Sequence, residues 1–368
     1  MTTREEESTF NVNIDGLKIT INQIKKYDNL TNQLVSDTAE LIIESDTSVR
    51  LAGFDMIETL DASTVVKVSI PKAITEIASD VFKNFYALEI VEYEGSYIDW
   101  CKISFENRFS NPLFYTPSYK KRLVPKNGFG EYIKTEDSTP VLELTGVDYI
   151  PECTFYDLAR NKQYADEFPF EQIVFGSDIE EIGDYAFYGL NSINGTNSGL
   201  TLVDLKKCKS LQTIGTAAFS YCKQLQSVAL PLETEQSILI KDFAFYSSSI
   251  FTNNFRLVLE TDLVNFGHYV FNTIHSLSTP AKFLKNFDLT NVKNLTIIET
   301  DNTVLTPELF KNLYSLETLV IIPSTDKTIN MLTDITDCLK ECPKLTEIQV
   351  SYLNPDVEYK EFIIAEAY

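Results

Sequence analysis

The chain has 368 residues, with 53 aspartates and glutamates against 31 lysines and arginines, a net charge of −22 and a pI near 4.5. That balance opposes binding to a phosphate backbone, which needs a basic face to displace its counterions, and equally opposes adhesion to anionic lipid. No apolar run reaches the roughly 18 residues that span a bilayer, and the acidic opening MTTREEESTF is unlike a secretory signal. Nucleic acid and membrane insertion are therefore not expected. The length exceeds the usual size of one compact core, which leaves two domains or an elongated repeat array.

Residues 1–60 carry no repeat. FNVNIDGLKITI alternates at Val12, Ile14, Leu17, Ile19 and Ile21 and predicts one or two short strands, and LVSDTAELIIES predicts another strand or a short helix. The segment is assigned as a small β cap for the first open face of a repeat stack. The first repeat spans 65–95, where Val66, Val68 and Ile70 alternate before Pro71 ends the strand. An aromatic insertion follows at 96–116, holding the single Trp and closing on an Asn-Pro turn. The polar, locally basic stretch 117–140 is expected to form a loop or protruding hairpin.

From Val141 the array resumes. In LVDLKKCKSLQTIGTAAFSYCKQLQSVALP, apolar residues recur every third position at Leu202, Leu205, Cys208, Leu211, Ile214 and Ala217. The series resumes at Phe219, Cys222, Leu225 and Val228, and ends on Leu230. A period of three suits neither an amphipathic helix nor a half-buried strand. It suits a coil that drops one apolar side chain inward at each corner and stacks on copies of itself. Phenylalanines at 155, 187, 219, 245, 271 and 310 mark successive copies, with insertions expected at 159–169 and 191–199. The repeat array is assigned to 61–350, and 351–368 to a closing cap strand.

IGDYAF at 182–187, IGTAAF at 214–219 and CKQLQSVALP resemble the BspA-like leucine-rich repeat family, and EGSYIDWCKISFENRFSNPLFY resembles an insertion those proteins carry. The resemblance covers about 65–350 and weakens at 235–305, where Lys241 replaces the glycine of the turn. It implies a strand-rich α/β repeat solenoid, a right-handed superhelix with short parallel strands on its concave face. It further implies a surface or secreted protein of adhesive type, although the chain shows no leader.

Little points to chemistry. His268 and His275 have no Cys or carboxylate at metal-ligand spacing, so surface or partly buried positions are expected. Cys338-x3-Cys342 lacks a second pair, and Cys208, Cys222 and Cys342 fall on the apolar ladder as small hydrophobes. Asn127-Gly-Phe-Gly130 has no phosphate-loop context, and acidic pairs such as Asp166-Glu167 and Glu180-Glu181 are expected by chance in so acidic a chain. Sequons stand at Asn29, Asn194 and Asn294. No catalytic residue, cofactor or metal is assigned. The candidate binding face consists of the residues alternate to the buried strand positions: Ile90, Glu92, Gln172, Val174, Ser227, Thr318, Val320, Glu347 and Gln349. Such a ladder suits a protein partner, or equally solvates the sheet. Lateral self-assembly into a particle, cytoskeletal or envelope component is the alternative, and the acidity reads as solubilising or as suited to a basic partner.

Overall fold

The computed structural model describes residues 2–55, 57–114, 121–130, 133–134, 140–156, 158, 170–190, 199–231, 234, 236–248, 256–259, 264–271, 274–298, 310–322 and 342–350. Cys338, Asn194, the Asp166-Glu167 pair and the closing segment 351–368 lie outside them. The chain forms two compact units. One comprises Met1–Tyr132, Tyr149–Tyr156 and Ile182–Ala186; the other comprises Ile133–Asp148, Asp157–Glu181 and Phe187–Tyr368.

The first unit opens with three antiparallel strands, β1 (Thr3–Ile14), β2 (Leu17–Asp28) and β3 (Leu34–Glu44). Asp15 and Gly16 both take positive φ (49° and 84°) between β1 and β2. This is the mirror-image turn whose twist matches the flanking strands. Leu17, Ile19, Ile21, Ala39, Leu41 and Ile43 are buried on one face. On the other, Thr9 donates to Asn22 and Thr20 to Asn11.

Next come β4 (Val49–Leu51), β5 (Val65–Ile70), β6 (Ile74–Ile77), β7 (Ile90–Tyr93), β8 (Ser104–Phe105) and β9 (Arg122–Pro125). Parallel pairing extends the large sheet as β3-β5-β7-β9, and a second row joins β4, β6 and β8. The alternation expected at Val66, Val68 and Ile70 fails at its first residue. A register shift opposite Ala39/Glu40 turns Val65 inward instead. Strand β9 lies inside the stretch expected to be loop or hairpin. Only Leu123 and Pro125 of its four residues turn inward, too short an alternation to read as a strand.

The aromatic insertion packs on its neighbours. Ser96 and Asp99 form a capping box on the helix Tyr97–Trp100, so even four residues are held at their N-terminus. Trp100, fully buried, meets Tyr93 and Phe105 at ring distances of 5.3 and 5.5 Å. Tyr97 stacks between Phe129 and Phe155 at 5.0 and 4.9 Å. Asn111 of the Asn-Pro turn is buried and donates through Nδ2 to the Glu152 carbonyl at 2.9 Å.

In chain order the remaining strands are β10 (Ile133–Lys134), β11 (Pro140–Leu144), β12 (Tyr149–Ile150), β13 (Gln172–Phe175), β14 (Glu181–Ile182), β15 (Leu202–Asp204), β16 (Thr213–Ile214) and β17 (Ser227–Ala229). They are followed by β18 (Ile238–Ile240), β19 (Arg256–Val258), β20 (Val264–Phe266), β21 (Ser276–Pro280), β22 (Asn294–Ile298), β23 (Thr318–Ile322) and β24 (Glu347–Val350). In the second unit a parallel sheet runs β11-β13-β15-β17-β19-β21-β22-β23-β24. Its register aligns Leu142, Ile173, Val203, Val228, Leu257, Leu277, Leu295, Leu319 and Ile348 in one buried column. Each such side chain contributes roughly 1.5–3 kcal/mol by leaving water. Register therefore holds at β19, β21 and β22, within the range where the repeat text is ragged.

A second parallel row, β16-β18-β20, leads into the turns. There Phe187, Phe219, Phe245 and Phe271 stack face to face at 4.9, 5.1 and 5.2 Å, within 6° of parallel. Two residues before each of these four, and before Phe82 and Phe155, the backbone is left-handed: Asp80, Cys153, Tyr185, Ala217, Phe243 and Tyr269 have φ between 53° and 60°. That conformation costs a side-chain-bearing residue about 1–2 kcal/mol. A ladder of amides holds it in place: Ala217 N donates to Asp242 O at 3.0 Å and Phe243 N to His268 O at 3.0 Å. Among the described residues the only α-helix is Tyr97–Trp100, beside short 3-10 turns. The architecture is a strand-rich repeat protein with parallel sheets.

Candidate functional site

Side chains alternate across a pleated strand, so the buried column of the large sheet fixes two outward columns beside it. Gln172, Ser227, Thr318 and Glu347 stand in one, and Val174, Val320 and Gln349 in the other. All are half-buried except Glu347, which is exposed. The sequence reading omitted the strands between them, which bring Leu202, Ser276 and Asn294 to the first column and Asp204, Ser278 and Thr296 to the second. Asn294 Nδ2 donates to Ser276 Oγ at 3.1 Å, and the sequon Asn294-Leu-Thr lies on this face. Arg256 holds the first-column position on β19, midway along the sheet, so the face mixes Ser, Thr, Asn and Val with charged positions at Asp204 and Arg256.

Ile90 and Glu92 belong to the first unit, on the outward side of β7. Glu92 is already engaged: Lys67 lies 2.9 Å away and Ser69 Oγ donates to it at 2.9 Å. Burial would raise its carboxyl, but these bonds hold it below the usual range, and Glu92 in turn raises Lys67. Lys67 also reaches Glu40 at 3.8 Å, so charge on this patch is largely satisfied within the chain.

A family model for the BspA type leucine rich repeat region matches in six copies, over residues 59–163, 158–207 and 194–285. This chain belongs to the BspA-type leucine-rich repeat family. Leucine-rich repeats of this kind generally bind proteins and are generally non-enzymatic. The crystal structure of a leucine rich cell surface protein from Faecalibacterium prausnitzii A2-165 is similar over 95% of this chain and 96% of that one, at 14% identity. Its TM-score is 0.20, and a superposition that poor carries no argument. No curated protein matches.

Within these BspA-type repeats the reactive side chains are mostly buried or paired. Burial pushes the Cys208 and Cys222 thiols up to about 12, and Cys101 higher still. Cys342 is buried on the ladder as expected. His268 is exposed, with Nδ1 3.3 Å from Asp242, while burial and Lys293 depress His275. Among the described residues no group of three His, Cys, Asp or Glu could hold a metal ion, and no helix is long and apolar enough to cross a membrane.

Two features escaped the sequence reading. Lys121 is buried, its Nζ donating to the Pro112 carbonyl at 2.9 Å, and burial lowers it to about 8. The left-handed turn positions carry exposed rings at Tyr185, Phe243 and Tyr269. The Ile-Gly-x-x-Ala-Phe text marks those turns, but only backbone geometry shows where the fourth residue points.

Proposed function

We propose that this chain is a non-catalytic protein-interaction module of surface or adhesive type. Its repeats wind as a right-handed superhelical solenoid, residues 1–60 act as a cap, and the outward columns of the large parallel sheet form the concave docking face. Gln172, Val174, Ser227, Thr318, Val320, Glu347 and Gln349 contribute to that face, and Ile90 and Glu92 form a patch of the first unit. The supporting observation is the unbroken parallel register from β11 to β24, which turns short strands into one extended outward surface. The face mixes small polar and apolar residues with charged positions at Asp204, Arg256 and Glu347, a composition suited to contact with a protein.

The test places a photo-crosslinking residue at Val174 or Val320 in the full chain, with a control at exposed Leu239 on β18. In native lysate or on native cell surfaces, the sheet positions are expected to capture one protein that the control does not. The captured protein, then produced alone, is expected to lose binding to a Val174→Arg/Val320→Arg variant with an unchanged melting temperature. Equal capture from Leu239 would sink the assignment of this face. Cross-linking to a second copy of the chain would replace it with lateral assembly.

A further inference from the structure

Five aromatic rings of the second unit form a continuous row on the turn edge. Phe243 and Tyr269 stack at 5.7 Å with planes 15° apart. Tyr246 meets Phe243 edge-on at 5.5 Å and Tyr221 at 6.3 Å, and Tyr221 lies 5.3 Å from Tyr188. Tyr221 and Phe243 are each 38% exposed and Tyr269 is 71% exposed. Tyr221, Phe243 and Tyr269 are all left-handed, with φ of 60°, 60° and 53°. The equivalent of Phe243 one turn earlier is Ala217, so the turn closes around a methyl group. The rings at 243 and 269 are therefore not needed to close the turn and add little to the core. Exposed rings joined in a continuous row are a feature of contact surfaces.

We infer that this row docks a segment of a protein partner that presents arginine or lysine side chains. Charge complementarity selects that occupant. The face of an aromatic ring attracts a cation, the Asp242 carboxylate lies in the same turn as Phe243, and the chain as a whole carries −22. Elsewhere the chain covers rings in this way: Arg108 stands 4.3 Å over Phe114 and Arg4 5.2 Å over Tyr27. Among the described residues no cation stands over Tyr221, Phe243, Tyr246 or Tyr269. The lysines of these turns, Lys223 and Lys241, are half-buried and already engaged within the chain. The surface is distinct from the outward sheet columns and stands whether or not those bind.

The experiment uses the full chain with three labelled probes: an alternating Arg-Gly peptide, the same peptide with Gln for Arg, and a neutral oligosaccharide. Fluorescence anisotropy at low and high salt is the readout. The Arg peptide is expected to bind, with the Gln peptide weaker by roughly tenfold, the scale of one or two ring–cation contacts. A Phe243→Asn/Tyr269→Asn variant is expected to lose a similar factor without a lower melting temperature, because Asn tolerates left-handed backbone. Val174→Arg/Val320→Arg is expected to bind the Arg peptide undiminished. Equal binding of the Gln peptide, tighter binding of the oligosaccharide, no binding at all, or an Asn variant that binds as well as the parent would each overturn the inference. The last outcome would reduce the attraction to diffuse acidity.

Discussion

A buried ammonium is costly unless a carboxylate faces it, and among the described residues Lys121 donates to the Pro112 carbonyl alone, at 2.9 Å. Its folded pKa of about 8 lies below the ordinary 10.5. Below pH 8 both folded and unfolded chains carry the proton, so the whole desolvation penalty weighs on the fold. Between pH 8 and 10.5 the folded chain sheds the proton first and the penalty fades. Lys121→Met is therefore expected to stabilise at pH 7, by at most about 3 kcal/mol, with the gain vanishing near pH 10.5. Urea unfolding at the two pH values measures it, and a destabilised variant at pH 7 would refute the account. Gly183 is the opposite case. A Cβ there would come within 2.7 Å of Glu152 N and Ile150 O, both backbone atoms that cannot swing aside. Gly183→Ala is expected to cost roughly 1–3 kcal/mol, read as a lower melting temperature. Lys241 shows that the turn itself tolerates a side chain, so the glycine answers to its neighbour rather than to the turn.

At the scale of elements, the stacked phenylalanines are the strongest local commitment. Phe219 is fully buried with rings 4.9 and 5.1 Å on either side, whereas Phe271 is half-buried. Phe219→Ala is expected to cost about 3–5 kcal/mol, and Phe271→Ala distinctly less, because the latter site can collapse or admit water. Denaturant unfolding of the pair checks the gradient. These phenylalanines were legible in the text, as were Leu205, Cys208, Leu211 and Cys222, because each corner of the coil needs one apolar residue at a fixed spacing. Three kinds of feature were not. Strand β9 has too few residues to show a period. The outward residues from Leu202 to Thr296 follow from register, which pairing decides and local sequence does not. The hand of the backbone at Phe243 and Tyr269 leaves no trace in side-chain identity, since Asp, Cys, Ala, Phe and Tyr all occupy that place.

At the scale of the molecule, a net charge of −22 acts before any contact forms. It repels polyanions over about one Debye length. The full chain is expected to leave a labelled DNA duplex unshifted even at low ionic strength, and a salt-sensitive shift would contradict the exclusion of nucleic acid.

The amide ladder of the turns has one further consequence. Backbone amides tie each loop to the next, helped by the Ser220 and Ser248 hydroxyls and the Asp242 carboxylate, and none of these bonds uses the side chain at 217, 243 or 269. At 243 and 269 the side chain faces outward and can change without breaking the frame, whereas Ala217 is buried and has no such freedom. Exchange of the ring at 243 or 269 is therefore a way to reshape the outer edge of the turns with the interior left as it was.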